Sequence, residues 1–335
     1  MSYLIAPADG GAGATTIYPA GTTTASPAYA GTFIPEIWSG KIIEKFYDNT
    51  VLAAIANTDY EGEIKNFGDT VHIRQKPDIT IRPYVAEQAL DYERPSADIV
   101  DLLIDQGKYF NTVLDDVLEI QADLNMMSMW ADDAASQMKI VIDTDVLDYM
   151  APLADAGNNE GATAGRISGN INLGATTTPL SVVSRNPGAG EVEPMDVLIR
   201  MGQALDEQNI PESGRWVVVP AWFAALIKQS ELRDASLSGD GTSMLRNGRL
   251  GMVDRFTIYV SNLLPTGVAA TMPLAAGEYA LMAGHSHGMT FASQLSKVET
   301  LRGESTFGTI MRGLQVYGRK VVDPTALVTV VAEQA

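Results

Sequence analysis

Cysteine is absent from all 335 residues, which excludes a disulfide framework, a thiolate nucleophile and a cysteine-based zinc site. Stability must therefore come from packing and from assembly. Basic residues are scarce: 23 Lys and Arg stand against 41 Asp and Glu, a formal net charge of −18. Such a chain repels phosphate backbones at long range, so a broad nucleic-acid-binding face is disfavoured. The one loose basic set, Arg312, Arg319 and Lys320, reads as solvated strand residues. Long apolar runs are also missing. Nowhere do eighteen apolar residues follow one another, so no membrane span is expected. The opening MSYLIAPADGGAGATT has neither the basic nor the sustained apolar part of a secretory signal, and the expectation is synthesis and retention in the cytoplasm.

Catalytic signatures are equally thin. Gly284-His285-Ser286-His287-Gly288 fits G-x-S-x-G, the turn that exposes a nucleophilic serine in α/β-hydrolases. That chemistry needs an acid and a remote histidine after the serine, yet no histidine lies beyond His287, and the following residues alternate as in a strand. The stretch therefore reads as a polar turn. His285 and His287 share a strand face at i and i+2, but the third histidine, His72, lies far away and no carboxylates stand at ligand spacing, so all three read as solvated. Gly239 to Gly248 is glycine-rich without the order that cradles phosphate. Asp115/Asp116 and Asp132/Asp133 are adjacent on a predicted helix and diverge. No catalytic, cofactor-binding or metal-binding residue is assigned, and no cofactor is expected.

What the chain does have is core-forming material, 46% hydrophobic residues with four Trp and twelve Tyr, and one dominant element. From about Leu114 to Met150 the pattern predicts a single long helix. Val117, Ile120, Leu124, Met127, Ala131, Ala134, Met138 and Val141 recur at steps of three and four, a narrow apolar stripe among many aspartates. At 1.5 Å per residue it would run roughly 50 Å. It reads as a spine lying on a sheet; a coiled-coil dimer is the alternative.

Residues 1 to 32, rich in Gly, Ala, Thr and Pro, read as an arm. Pro35 opens a short predicted helix in which Ile37, Trp38, Ile42, Phe46 and Leu52 share a face. From Thr70 the period becomes two: Val71, Ile73, Ile79 and Ile81, then Ile99, Leu102 and Ile104, predict a two-stranded excursion whose polar tip projects into solvent or onto a partner. Residues 155 to 192 read as loops with a short strand. A compact α/β region follows, with a helix from Pro194 to Gln208, a buried strand over Arg215–Pro220, a helix from Ala221 to about Glu231, and strands at Ile258, Val260 and Tyr279–Met282. The segments beginning at Thr290, Leu314 and Ala326 are expected to be strands that pair with one another beneath the long helix.

The order of these parts resembles the major capsid protein of tailed bacteriophages, the HK97-fold family. Particular stretches carry the likeness: Phe33-Ile-Pro-Glu-Ile-Trp-Ser39, Gly68-Asp-Thr-Val-His72, Pro211 with Arg215-Trp-Val-Val-Val-Pro220, Gly251 through Phe256-Thr-Ile-Tyr-Val-Ser-Asn262, Phe307-Gly308, Gly313-Leu314, Tyr317-Gly318 and Pro324. The resemblance implies an α+β capsid fold with an N-terminal arm (1–32), an N-terminal helical region (33–65), an E-loop (66–110), a P-domain spine helix (111–155), a loop-rich junction (156–190), an A-domain (191–290) and P-domain return strands (291–335). It further implies a non-enzymatic protein that self-assembles into hexamers and pentamers of an icosahedral virion shell around double-stranded DNA. Assembly would take place in the host cytoplasm, with a scaffolding protein, a portal and a decoration protein as expected partners. Some relatives cross-link through an E-loop lysine; Lys76 is the only lysine between Lys65 and Lys108, and no acid and asparagine set accompanies it, so no cross-link is expected. An encapsulin-like compartment shares the fold and is the alternative; a G-x-S-x-G hydrolase is the remote one.

Overall fold

The computed structural model describes residues 47–335 apart from 49, 60–69, 78, 85, 97–98, 122–125, 185, 231–251, 268–270 and 304–306. In chain order the described elements are α1 (Leu52–Ile55), β1 (Thr70–Arg74), β2 (Ile99–Leu103), β3 (Gln106–Asp115), α2 (Asp116–Gln121), α3 (Met126–Met150), β4 (Leu180–Val182), β5 (Glu191–Val192) and α4 (Pro194–Glu207). There follow β6 (Arg215–Val219), α5 (Ala221–Gln229), β7 (Met252–Val253), β8 (Phe256–Val260), β9 (Glu278–His285), β10 (Met289–Arg302), β11 (Gly308–Val321) and β12 (Leu327–Gln334). The arm, most of the predicted helix after Pro35 and the Gly239–Gly248 loop lie outside the described residues.

Seven strands form a mixed sheet in the order β5-β4-β12-β9-β6-β8-β7. Its middle strands are apolar on both faces, as a sheet covered from two sides requires. Val217 and Val219 of β6, Leu281 and Ala283 of β9, and Val328, Val330 and Ala332 of β12 join one core with Val197, Leu198, Met201 and Leu205 of α4 and Phe223 and Ile227 of α5. The alternate residues Trp216, Val218, Ala280, Met282, Leu327 and Val331 join a second core with Ile142, Val146, Leu147 and Met150 of α3. Pro194 starts α4 with a fixed φ and no donor to leave unpaired. Pro220 precedes α5 in an extended conformation.

The predicted helical stretch is described as two helices, α2 and α3, with a later start and another buried face. Leu114 and Asp115 end strand β3, and the helical run begins at Asp116. The expected stripe is not the seam: Val117, Ile120 and Val141 are exposed, while Ile142, Asp143, Val146, Leu147 and Met150 are buried. Leu124 lies outside the described residues. Contact with the sheet selects the face that carries unbroken large side chains, and steps of four from Met138 through Ile142 and Val146 to Met150 follow it better than the stripe ending at Val141. Three of the aspartates that flank the predicted stripe are fastened inside the fold. Asp143 accepts the Val51 and Leu52 backbone amides at 2.6 and 3.3 Å, capping the start of α1; burial raises its pKa, and the two amides oppose that rise. Asp145 binds the Tyr317 hydroxyl at 2.6 Å and pairs with Arg319, whose guanidinium lies 4.6 Å from the Tyr149 ring centroid. Arg319 is thus an internal strut and not a solvated strand residue. Asp148 accepts from the Thr271 backbone amide at 2.7 Å.

A second, three-stranded antiparallel sheet has the order β10-β11-β3. The last segment differs from expectation. Strand β12 does not pair with β10 or β11; it enters the seven-stranded sheet between β4 and β9. Its run Leu-Val-Thr-Val-Val-Ala is buried on both faces, which only a doubly covered sheet can satisfy. Residues 327–334 therefore belong with the strands of the 191–290 region, and the expected return segment 291–335 is divided between two sheets.

At the end of α4, Glu207 accepts the Ile167 and Ser168 backbone amides at 2.8 and 3.0 Å. Desolvation works against its charge, but those amides and the Ser168 and Gln203 side chains win, lowering its pKa to about 2. The depressed pKa means the stabilisation is full above the ordinary value of 4.5 and is lost as pH falls from there toward about 2. Hydrogen-exchange protection of residues 164–171 should fall across that window in the wild type and show no such step in Glu207→Gln.

Candidate self-assembly surface

Strands β1 and β2 pair antiparallel with Val71 opposite Leu102 and Ile73 opposite Val100. Their inward face joins Ile104, Ala292 and Val316 in a small core of its own. The hairpin base sits so close to β11 that a side chain on Gly318 would stand 2.6 Å from the Leu103 carbonyl oxygen. On the outward face His72 lies 2.6 Å from Asp101, so it is committed within the hairpin and distant in role from the other histidines.

Beyond Arg74 the two arms continue without strand pairing as far as a turn at Ala86–Glu87, where Glu87 has a φ of 69°. Ile79 and Ile81 are therefore not in strands, contrary to the period-two reading. Polar links still cross the loop: the Thr80 amide and hydroxyl donate to Glu93, both at 3.2 Å, and Arg82 bonds Asp91 at 3.1 Å. These links leave the apolar side chains outside. Ile79, Tyr84 and Leu90 are exposed, Ile81 is 89% and Tyr92 is 99% accessible. Complete burial of one such side chain is worth about 1.5–3 kcal/mol, so covering this group against another molecule is a large gain that the single chain leaves unrealised.

A second open surface was not anticipated from the sequence. Register places Tyr109, Asn111 and Val113 of β3 on one face with Leu314, Arg312 and Ile310 of β11 and Lys297, Glu299 and Leu301 of β10. Tyr109 is 79% accessible, and Val113, Leu301 and Leu314 are exposed beside it. Between them Arg312 donates to Glu299 at 2.8 and 3.1 Å, and Lys297 pairs with the same carboxylate. On the opposite face Phe110 lies over Gly313, where any side chain would come within 2.1 Å of the ring. The only sequence signal for this face was the alternation from Tyr109 to Val113, immediately before the pattern turned helical.

Ser286 sits in the three-residue turn between β9 and β10, and a strand, not a helix, follows it. The strand-to-helix elbow of a hydrolase is therefore not formed. His285 and His287 stack with centroids 5.2 Å apart, and the His287 amide donates to Nδ1 of His285 at 3.2 Å. Asp116 forms an ion pair with Arg302 and does not face Asp115 across a cleft. Among the described residues no group of three or more His, Asp or Glu side chains is arranged to hold a metal, and no helix is long and apolar enough to cross a membrane.

An open hairpin tip and an open sheet face beside a doubly covered sheet describe a subunit built to be covered by other molecules. Residues 100–330 match the family model described as phage capsid protein. The solved structure from Mycobacterium phage Che8 has a TM-score of 0.70 and 27% identity, covering 89% of this chain and 96% of that one. The capsid structure of the cyanophage P-SCSP1u has a TM-score of 0.68 at 15% identity, over 90% of this chain and 94% of that one. The asymmetric unit of the bacteriophage PhiM1 mature capsid has a TM-score of 0.64 at 15% identity, over 90% and 92%. Among curated proteins none matches the sequence. The chain belongs to the phage capsid protein family, and its α+β architecture is the HK97-like capsid fold. It is a major capsid protein: a structural component of the virion shell, not an enzyme.

Proposed function

We propose that copies of this chain assemble in the host cytoplasm as hexamers and pentamers of an icosahedral shell enclosing double-stranded DNA. The observation that carries the proposal is the hairpin tip with Ile81 and Tyr92 outside, because a two-stranded ribbon with so little core of its own gains stability only when neighbouring copies cover it. In this reading residues 66–110 are the E-loop and residues 111–155, with the β10–β11 sheet, form the P-domain. The region 191–290, completed by β12, is the A-domain at the symmetry axes, and residues 1–32 are an arm lying across a neighbour. The net charge of −18 suits a container that must not adhere to the packed genome, so DNA would be held without sequence-specific contacts. A separate scaffolding protein, a portal and a decoration protein are the partners such a shell would use. The phage family match favours a genome over protein cargo, and hence this reading over an encapsulin-like compartment.

Deletion of residues 84–96 tests the bridging role. The variant should fold with wild-type circular dichroism and sediment as free subunits or small capsomers. Particles of wild-type size from that variant would refute it.

A further inference from the structure

The turn at residues 286–288 is where the chain leaves one sheet for the other: β9 ends in the seven-stranded sheet and β10 begins in the three-stranded one. The return crossing from β11 to β12 is tied to the same spot, because the Gly288 carbonyl accepts the Val322 and Asp323 amides at 2.9 and 3.2 Å. Gly288 in turn donates its amide to the His285 carbonyl at 2.9 Å. The crossings from β9 to β10 and from β11 to β12 are thus pinned by one short turn, which His285 closes through its carbonyl and its ring.

The hydrogen bonds of His285 define its state. Nδ1 accepts the His287 amide at 3.2 Å, so Nδ1 carries no proton and the neutral ring holds its proton on Nε2. It is 7% exposed, stacked on exposed His287, and directly opposite Arg215 in the β6–β9 register. Arg215 is wholly buried and keeps one guanidinium nitrogen without a partner. A proton on Nδ1 would confront the His287 amide with a second donor and set a new cation beside Arg215. The other charged groups on the elements around the turn do not compensate. Asp206 is held by Arg215 and Arg255, Glu212 by Arg255, and Asp323 accepts from Thr325.

We propose that His285 is a proton-sensitive latch at the junction of the two sheets, closed when neutral, so that acidification releases the turn and loosens the two crossings that meet there. Burial, with the nearby His287 and Arg215, pushes the His285 pKa below its usual 6.5, against an opposing effect of the Ser213 backbone. A base with a lowered folded pKa contributes stability that is full above the unfolded value and lost as pH falls through the folded one. The inference concerns the single subunit and does not depend on the geometry of the shell.

Hydrogen exchange read by mass spectrometry, with protection corrected for intrinsic rates, tests it on the full chain. Protection of residues 286–289 and 321–324 should drop by about tenfold or more between about pH 7.5 and about pH 5, while β12 keeps its protection. His285→Gln, which retains a neutral donor and acceptor, should abolish the drop. The ring of His285, titrated by NMR in the wild type, should share its midpoint. Constant protection in the wild type, an unchanged drop in His285→Gln, or a His285 titration that does not coincide with the opening would overturn the proposal.

Discussion

Arg215→Ala should lower subunit stability by about 3 kcal/mol in urea denaturation. Arg215 is the largest wholly buried side chain in the described fold. Its Nε donates to the Pro211 carbonyl at 2.9 Å and one terminal nitrogen donates to the Ile210 carbonyl at 2.6 Å and to Asp206 at 2.7 Å. Truncation strands two carbonyl groups at about 1 kcal/mol or more each and opens a cavity worth a similar amount. The ion pair adds little, since Asp206 is 41% exposed and keeps Arg255 as a partner. Arg215→Lys should recover only part of the loss, because an ammonium cannot present the same fork to three acceptors. A loss under about 1 kcal/mol for the alanine variant would mean the loop after α4 is held by other contacts.

Leu147→Asp should yield insoluble or unfolded subunits, whereas Met127→Asp should fold. Leu147 is 0% exposed within the core shared by α3 and the seven-stranded sheet. A charge there has no partner and costs several kcal/mol, a large part of a domain's total stability. Met127 is only half-buried and belongs to none of the three cores among the described residues. The pair separates the two helix registers: the stripe through Met127 and Val141 requires Met127→Asp to fail, whereas the observed face requires Leu147→Asp to fail and Met127→Asp to fold. Soluble expression followed by thermal unfolding decides between them.

That contrast shows where the sequence was legible. Elements whose pattern is set by near neighbours were readable from their residues: Pro194 with Val197, Leu198, Met201 and Leu205 marks α4, and the β-branched run after Trp216 marks β6. Helix α3 was also readable, but its buried face was not. Alanine and methionine occupy more than one stripe of α3, and only contact with β6, β9 and β12 selects the one through Ile142, Val146 and Met150. The role of Asp143 was not legible for the same reason, since its partners at Val51 and Leu52 lie about ninety residues away. The projecting hairpin tip was foreseen because its stretch carries charge without core periodicity. The open face around Tyr109 was not, because it is assembled from β3 and β11, paired across some two hundred residues, as in Val113 opposite Ile310. No local pattern encodes such a pairing.

The central claim is that this chain is a shell subunit, and electron microscopy of the purified protein, expressed alone and with its neighbouring genes and checked by light scattering, tests it most directly. The account predicts closed particles, tubes or capsomers of uniform subunit, with DNA inside the particles formed in the presence of the packaging partners. A strictly monomeric or dimeric species under all of these conditions would contradict it.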